Sequence, residues 1–333
     1  MSGQALHKTK VIIKAFPRIH ITLIGMNDDG YRINGGLGFS IDKPSIEAKV
    51  TAVKSFTFVD KRNKKLNSSE IDRIESIINE ICLAESLKSS ISVTIRGDLE
   101  THSGFGSGTI IRLLCIESLF IINKVPYTKS KLIKLSRRGG TSGVGIRTYF
   151  DGGFVFDLGH KAEELIPSSI AEDKVRKSII LKRLKMPEWE IGLCLPHYIK
   201  SLTPAQEKAF FAKIVPLKQP DVNDTLYHSI YGVLAAVKES DKDCFETAIT
   251  NIQNCKWKHA ERTEYGRQIF DLEKLLLKSG ADMVGMSSLG PTIFFTAKDI
   301  KVVIQTATNK MKNKDCSFIR TKPNNTGRII EIC

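Results

Sequence analysis

Gly104-Phe105-Gly106-Ser107-Gly108-Thr109 follows the alternating stretch Ile91-Ser92-Val93-Thr94-Ile95 and runs straight into Ile110, Ile111, Leu113, Leu114, Ile116, Leu119 and Phe120. The alternation predicts a strand and the later spacing a helix, with the glycine turn between them. A helix start gathers backbone N–H groups and the positive end of the helix dipole at one point, which suits phosphate. Gly104, Gly106 and Gly108 let an anion approach the backbone, and Ser107 and Thr109 add hydroxyl donors. A glycine connection that only packs a helix onto a sheet would look the same. Two familiar phosphate loops are excluded by spacing. No lysine follows Gly108, as the Walker loop requires, and Gly108 stands two places after Gly106 rather than the three of the dinucleotide fingerprint.

The chain has 333 residues, 41% of them hydrophobic and 26% charged, which predicts an ordinary globular protein of about two domains. Its longest apolar stretch, Leu113 to Val125, is broken by Glu117, Asn123 and Lys124, so no membrane span is expected. Residues 1 to 10 carry no apolar signal core. Seven cysteines without a Cys-x-x-Cys pair read as reduced thiols of a cytoplasmic protein.

A net charge of +14 allows three readings: a solvated lysine-rich surface, steering of a polyanionic substrate, or a polyanionic partner. The lysines are dispersed and no nucleic-acid motif is present, so no nucleic-acid partner is expected. Lys61-Arg62-Asn63-Lys64-Lys65 reads as an exposed turn, and Lys310, Lys312 and Lys314 as cations at a helix end.

Outward from the glycine loop, Val11–Ile13 and Arg18–Leu23 read as strands, the second with Arg18, His20 and Thr22 on one face. The composition changes after about Ser169, and the charged segment Glu172 to Lys185 bridges to a second zone. The expected domains are 1–175 and 186–333. In the second, Trp189–Leu195 reads as a strand halted by Pro196, and Thr203-Pro204-Ala205-Gln206 as a capped helix start. Helices are expected around Thr225–Lys238, Cys244–Gln253 and Gln268–Lys278, the last stopped by Gly280. Strands follow near Thr292–Thr296, Ser317–Thr321 and Arg328–Ile332, with a helix between the first two. This is an α+β chain.

Three further clusters adjoin such elements: Asn34-Gly35-Gly36-Leu37-Gly38, Arg138-Gly139-Gly140-Thr141-Ser142-Gly143-Val144-Gly145, and Gly285-Met286-Ser287-Ser288-Leu289-Gly290-Pro291-Thr292. With the first loop they are expected to converge on one anionic site. In these motifs the chain resembles the GHMP superfamily of small-molecule kinases over nearly its whole length. The resemblance implies an N-terminal domain with a left-handed β-α-β crossover and a ferredoxin-like C-terminal domain.

Family kinases carry Ser-Gly-Val-Asp, whose aspartate is the catalytic base; here Ser142-Gly143-Val144 is followed by Gly145. Asp151 and Asp157 are near in sequence but off the motif. A hydroxyl acceptor would lack its proton acceptor, which weakens a kinase reading. The chain more closely resembles β-ribofuranosylaminobenzene 5′-phosphate synthases, a non-kinase branch, in Arg18-Ile19-His20, Ser103–Thr109, Arg138–Gly143, Gly152-Gly153-Phe154 with Gly159-His160, and Ser287–Thr292. It departs from that pattern at Arg137, Leu158 and Leu289.

The resemblance implies a phosphoribosyl transferase that joins phosphoribosyl pyrophosphate to 4-aminobenzoate or 4-hydroxybenzoate, releasing pyrophosphate and carbon dioxide, in methanopterin biosynthesis. It further implies Mg2+ carried on the pyrophosphate, with protein ligands unknown, and a homodimer. Arg18, His20 and Arg138 are the candidate catalytic residues, and Gly104 through Thr109 the phosphate loop. Gly35, Gly36, Gly140, Thr141, Ser142, Gly143, Ser287, Ser288, Gly290 and Thr292 are candidates to contact substrate; His160 and His197 are weaker ones. Two other classes remain open, an ATP-dependent kinase with a displaced acid and a non-catalytic binder of nucleotide or nucleic acid.

Overall fold

The computed structural model describes residues 9–161, 178–311 and 315–333. The first part of the chain builds β1 (Lys10–Ala15), β2 (Arg18–Ile24), β3 (Arg32–Ile33), β4 (Gly35–Ser40), β5 (Ile46–Val53), β6 (Thr57–Asp60), α1 (Ser68–Ala84), β7 (Ser90–Gly97) and α2 (Ser107–Ile122). It continues through α3 (Lys129–Ser136), α4 (Val144–Asp151), β8 (Phe154–Asp157), β9 (His160–Lys161) and β10 (Ile180–Leu184). After β11 (Ile191–Pro196) come α5 (Pro204–Ile214), α6 (Gln219–Tyr227), a π-helical segment (His228–Leu234), α7 (Ala235–Glu239), α8 (Lys242–Asn254), α9 (Lys256–Thr263) and α10 (Arg267–Lys278). The chain then adds β12 (Met283–Met286), β13 (Ile293–Thr296), α11 (Ile300–Lys310), β14 (Cys316–Thr321) and β15 (Ile329–Ile332).

The first large sheet has the order β15-β1-β5-β7-β6, antiparallel except for the parallel pair β6 and β7, which α1 connects as a β-α-β unit. Its strands alternate as the sequence does. Val11, Ile13, Ile46, Ala48, Val50, Ile91, Val93 and Ile95 are wholly buried, and the residues between them face outward or lie half-buried. A second sheet, β10-β8-β4-β2, is covered on both sides, so β4 (Gly-Gly-Leu-Gly-Phe-Ser) is buried throughout. Phe39 meets Phe245 edge-on at 6.3 Å and Phe294 at 6.4 Å, which joins this sheet to the second half of the chain.

That second half forms the sheet β12-β13-β11-β14, antiparallel throughout. In chain order its strands lie 2-3-1-4, with helices in the two crossovers, which is the split β-α-β arrangement. The expected domain ranges do not enclose the sheets. β10 falls between them and pairs with β8, and β15 crosses back to pair with β1.

Most expected elements are present, and their ends have visible causes. Thr203 caps α5 with Gln206 closing the box, and Gly280 at φ 103° ends α10. The helix expected at Thr225–Lys238 starts earlier, at Gln219, and passes through the π segment. Lys61–Lys65 is not simply an exposed turn. Arg62 is buried, donating to both Asp60 oxygens and to the Leu99 carbonyl. Lys312 and Lys314 lie outside the described residues, as do residues 172–177 of the segment Glu172 to Lys185.

The apolar run after the glycine loop is the central helix α2, buried on every side. Within it Glu117 has no exposed surface. It accepts from Arg328 Nε at 2.9 Å and Nη2 at 2.5 Å and from the hydroxyls of Tyr149 at 2.7 Å and Tyr127 at 3.1 Å. Removing one member of such a group strands a buried charge. Glu117→Ala is therefore expected to lower unfolding free energy by about 3–5 kcal/mol, read from the denaturant midpoint. A loss under about 1 kcal/mol would mean that water replaces the carboxylate. Among the described residues no helix is long and apolar enough to cross a membrane.

Candidate active site

A cleft of about 690 Å³ opens where β2, the glycine loop and the starts of α1, α2, α4 and α5 meet. Its floor is the loop itself. Gly106 adopts φ 76°, a left-handed conformation that favours glycine, and stands just before α2 with no side chain to cap the helix. Gly104, Gly106, Ser107, Gly108 and Thr109 all line the cleft, so the dipole of a buried helix points into it. Phe105, also expected to contact phosphate, faces the other way and is 1% exposed in the core.

The loop is held from behind by the Ser287–Thr292 segment. Ser287 Oγ donates to the Gly104 carbonyl at 2.8 Å and accepts from the His20 backbone N–H at 3.1 Å. A Cβ on Gly290 would stand 2.2 Å from Gly104 N, so these two backbones touch only because both residues are glycine. Ser288 lines the cleft; Ser287, Gly290 and Thr292 shape it without lining it.

β2 supplies the first cation. Opposite β4 it carries one extra residue, Ile21, between His20 and Thr22. The bulge reverses the alternation there. Arg18 and His20 therefore face the cleft and Leu23 follows them, whereas Thr22 turns away and donates to the Leu23 carbonyl. Thr22 does not share the face of Arg18 and His20 as its spacing suggested. The Arg18 guanidinium donates to the Gly104 carbonyl and lies 3.4 Å from where a Gly106 Cβ would be; its Nε is buried without a protein partner.

Arg138, after α3, reaches across α2 and donates from Nε to Thr109 Oγ1 at 3.0 Å. Its Nη2 is 3.7 Å from the Cβ position of Gly108. Thus the two arginines flank the loop. Burial pushes Arg18 down to about 10, partly offset by Glu261. Burial, then Arg112 close by, pushes Arg138 to about 9. Both remain charged at neutral pH, and an anion between them would relieve their repulsion. His20 is held well below its usual range by burial, then Arg18 and Lys258, so its ring is neutral. Its Nε2 lies 3.4 Å from Ser142 Oγ, and a Cβ on Gly36 would come 2.9 Å from each of those atoms.

Thr141, Ser142 and Gly145 line the cleft, but Gly35, Gly36, Gly140 and Gly143 lie behind its wall. Gly143 N donates to Asp157 Oδ2 at 2.5 Å. Asp157 is raised to about 6 by burial despite that bond and the one from Gly159 N. Asp151 pairs with Lys129, and neither aspartate lines the cleft. At Gly145, where the kinase motif has its aspartate, a Cβ would lie 3.9 Å from Arg18 Nε. His160 Nε2 sits 3.1 Å from the Gly139 carbonyl, bracing the turn, while His197 lies elsewhere, by Ser317 and Lys64.

Sequence reading missed several lining residues: Glu70 and Arg73 on α1, His102, Arg112, Glu207 and Lys208 on α5, and Glu261 on α9. Arg112 alone gave a signal, a cation inside an apolar helical run. Among the lining side chains, five arginines and lysines face three glutamates, a cationic excess suited to a polyanion. Leu23, Phe211 and Leu289 form an apolar wall on the side of α5.

The sheets are arranged as in the two-domain GHMP fold. The chain superposes on phosphomevalonate kinase from Streptococcus pneumoniae with a TM-score of 0.67 at 12% identity, covering 96% of this chain and 100% of that one. For mevalonate diphosphate decarboxylase from Staphylococcus aureus the TM-score is 0.67 at 14% identity, covering 99% and 100%. These likenesses speak for the fold alone. No protein-family model matches. Sequence goes further. The chain is 32% identical over 324 residues to beta-ribofuranosylphenol 5'-phosphate synthase from Archaeoglobus fulgidus, covering 95% of this chain and 97% of that protein. For its namesake from Methanocaldococcus jannaschii the identity is 29% over 334 residues, covering 96% and 100%. The chain belongs to the beta-ribofuranosylphenol 5'-phosphate synthase family, and is an enzyme of the pentosyltransferase class.

Proposed function

We propose that the chain joins phosphoribosyl pyrophosphate to 4-hydroxybenzoate, giving a β-ribofuranosylphenol 5′-phosphate, carbon dioxide and pyrophosphate. The single observation that carries this reading is Gly145, beside Arg18, in a cationic cleft built on a kinase fold. The phenol in the relatives' printed name favours the hydroxy acid over 4-aminobenzoate.

The chemistry needs no base at the attacking atom. The bond from ribose C1′ to pyrophosphate breaks with both electrons leaving on pyrophosphate. The ring carbon bearing the carboxylate bonds to C1′, and the carbon–carboxylate bond then breaks, its electrons restoring the aromatic ring. Proton loss is replaced by loss of carbon dioxide. The α2 N-terminus, Arg18 and Arg138 stabilise the leaving pyrophosphate. Leu23, Phe211 and Leu289 give the ring an apolar surface and orient it. Magnesium fits as a passenger on the pyrophosphate: Ser107 and Glu70 are oxygen donors at the cleft that would hold it, and it would neutralise phosphate charge. None of the seven cysteines is in a disulfide, which suits a reducing cytoplasm.

With phosphoribosyl pyrophosphate, magnesium and carboxyl-labelled 4-hydroxybenzoate, labelled carbon dioxide and pyrophosphate should appear in equal amounts. ATP should not be turned over in response to the aromatic acid. Pyrophosphate release with the label retained on the ring would sink the mechanism, and acid-stimulated ATP turnover would restore the kinase reading.

A further inference from the structure

Away from the cleft, three side chains of different chemistry converge on one point. Asp224 and His228 are one helical turn apart, on α6 and at the first residue of the π segment. Cys255 separates α8 from α9. One Asp224 oxygen accepts from Cys255 Sγ at 3.2 Å, and the other lies 3.6 Å from His228 Nε2. The ligating atoms of all three lie within 4.8 Å of one another.

Tetrahedral zinc, with bonds near 2.0–2.1 Å to nitrogen and oxygen and 2.3 Å to sulfur, sets ligand edges of about 3.4 Å between nitrogen and oxygen and about 3.6 Å between sulfur and oxygen. The observed separations, 3.2 Å to one Asp224 oxygen and 3.6 Å to the other, lie within about 0.4 Å of those edges, so a turn of the Asp224 carboxylate and small side-chain shifts would bring the three ligands onto one ion. We propose that Asp224, His228 and Cys255 form a binding site for a single borderline-soft divalent cation of the zinc type. A thiolate and an imidazole select such an ion over magnesium. Burial of Cys255 contrasts with the exposure of Asp224, which leaves a solvent side for entry and for a fourth, water ligand.

In the metal-free protein the thiol keeps its proton. Its S–H donates to an Asp224 oxygen at 3.2 Å. Binding therefore exchanges one proton for the cation: the S–H bond breaks, the metal–thiolate bond forms, and the proton passes to buffer. The ion would tie α6 to the start of α9, the helix that carries Glu261 to the cleft. π segments recur at functional sites, and this one begins at His228 itself.

Tag-free full-length protein titrated with Zn2+ should bind one ion and release one proton from Cys255, seen as a buffer-dependent enthalpy. Cys255→Ser should weaken binding by more than about 100-fold, since loss of an outer-shell partner alone costs 10–100-fold. Substituting Co2+ should give a near-ultraviolet thiolate-to-cobalt charge-transfer band that is lost in the serine variant. If that variant does not fold, His228→Gln should show the same loss of affinity with the band shifted, and the wild-type cobalt spectrum stands alone. A cobalt complex without the thiolate band, or unchanged Zn2+ affinity in the variants, overturns the site.

Discussion

Gly106→Val is expected to lower kcat/KM for phosphoribosyl pyrophosphate by about 1000-fold, in line with losing a preorganised anion-binding donor set. Two effects coincide at this residue. The backbone is at φ 76°, which a β-branched residue resists at a cost of about 1–3 kcal/mol. The new side chain would also start 3.4 Å from the Arg18 guanidinium, in the space proposed for phosphate. The strain is small against a folding stability of about 5–15 kcal/mol, so the variant should remain folded by circular dichroism. Kinetics unchanged in a folded Gly106→Val protein would remove the phosphate loop from the proposed site.

Arg138→Ala should cost about 100- to 1000-fold in kcat/KM, chiefly through the pyrophosphate end of the reaction. Arg138 presents its guanidinium beside Gly108 and Thr109, where backbone donors of the helix start converge. Arg138→Lys keeps the charge but not the planar fork, and should recover only part of the activity. Steady-state kinetics with each substrate varied in turn is the check. An alanine variant whose loss lay only in KM for the aromatic acid would move Arg138 to the other substrate.

The strand, glycine turn and helix around residues 104–109 could be read from sequence because each element announces itself locally, by period or by glycine. The capped start of α5 was legible for the same reason. The bulge at Ile21 was not, since it depends on which strand lies opposite and where the register slips. That one residue decides that Leu23 rather than Thr22 meets the cleft. Likewise Glu70, Arg73, Glu207 and Glu261 look like ordinary surface charges of amphipathic helices; only the packing of α1, α5 and α9 around the loop brings them to one cleft. Gly35, Gly36, Gly143 and Gly290 were readable as special but not as to their task. They keep side chains out of the way of His20, Ser142, Asp157 and Gly104 rather than touching the cleft themselves.

The return of β15 to β1 sets an order of events in the making of this protein. Lys10 and Cys333 exchange both backbone hydrogen bonds, at 3.0 and 2.8 Å, and Arg328 is the cation that Glu117 awaits. A ribosome that has finished α2 has therefore exposed a buried acid whose partner is some two hundred codons from being translated. Until then the first sheet has an open edge at β1, and its central helix holds an uncompensated carboxylate. The amino-terminal half is thus short of an edge strand and a buried cation until the last residues emerge, and its bare β1 edge is open to pairing with a neighbouring nascent chain.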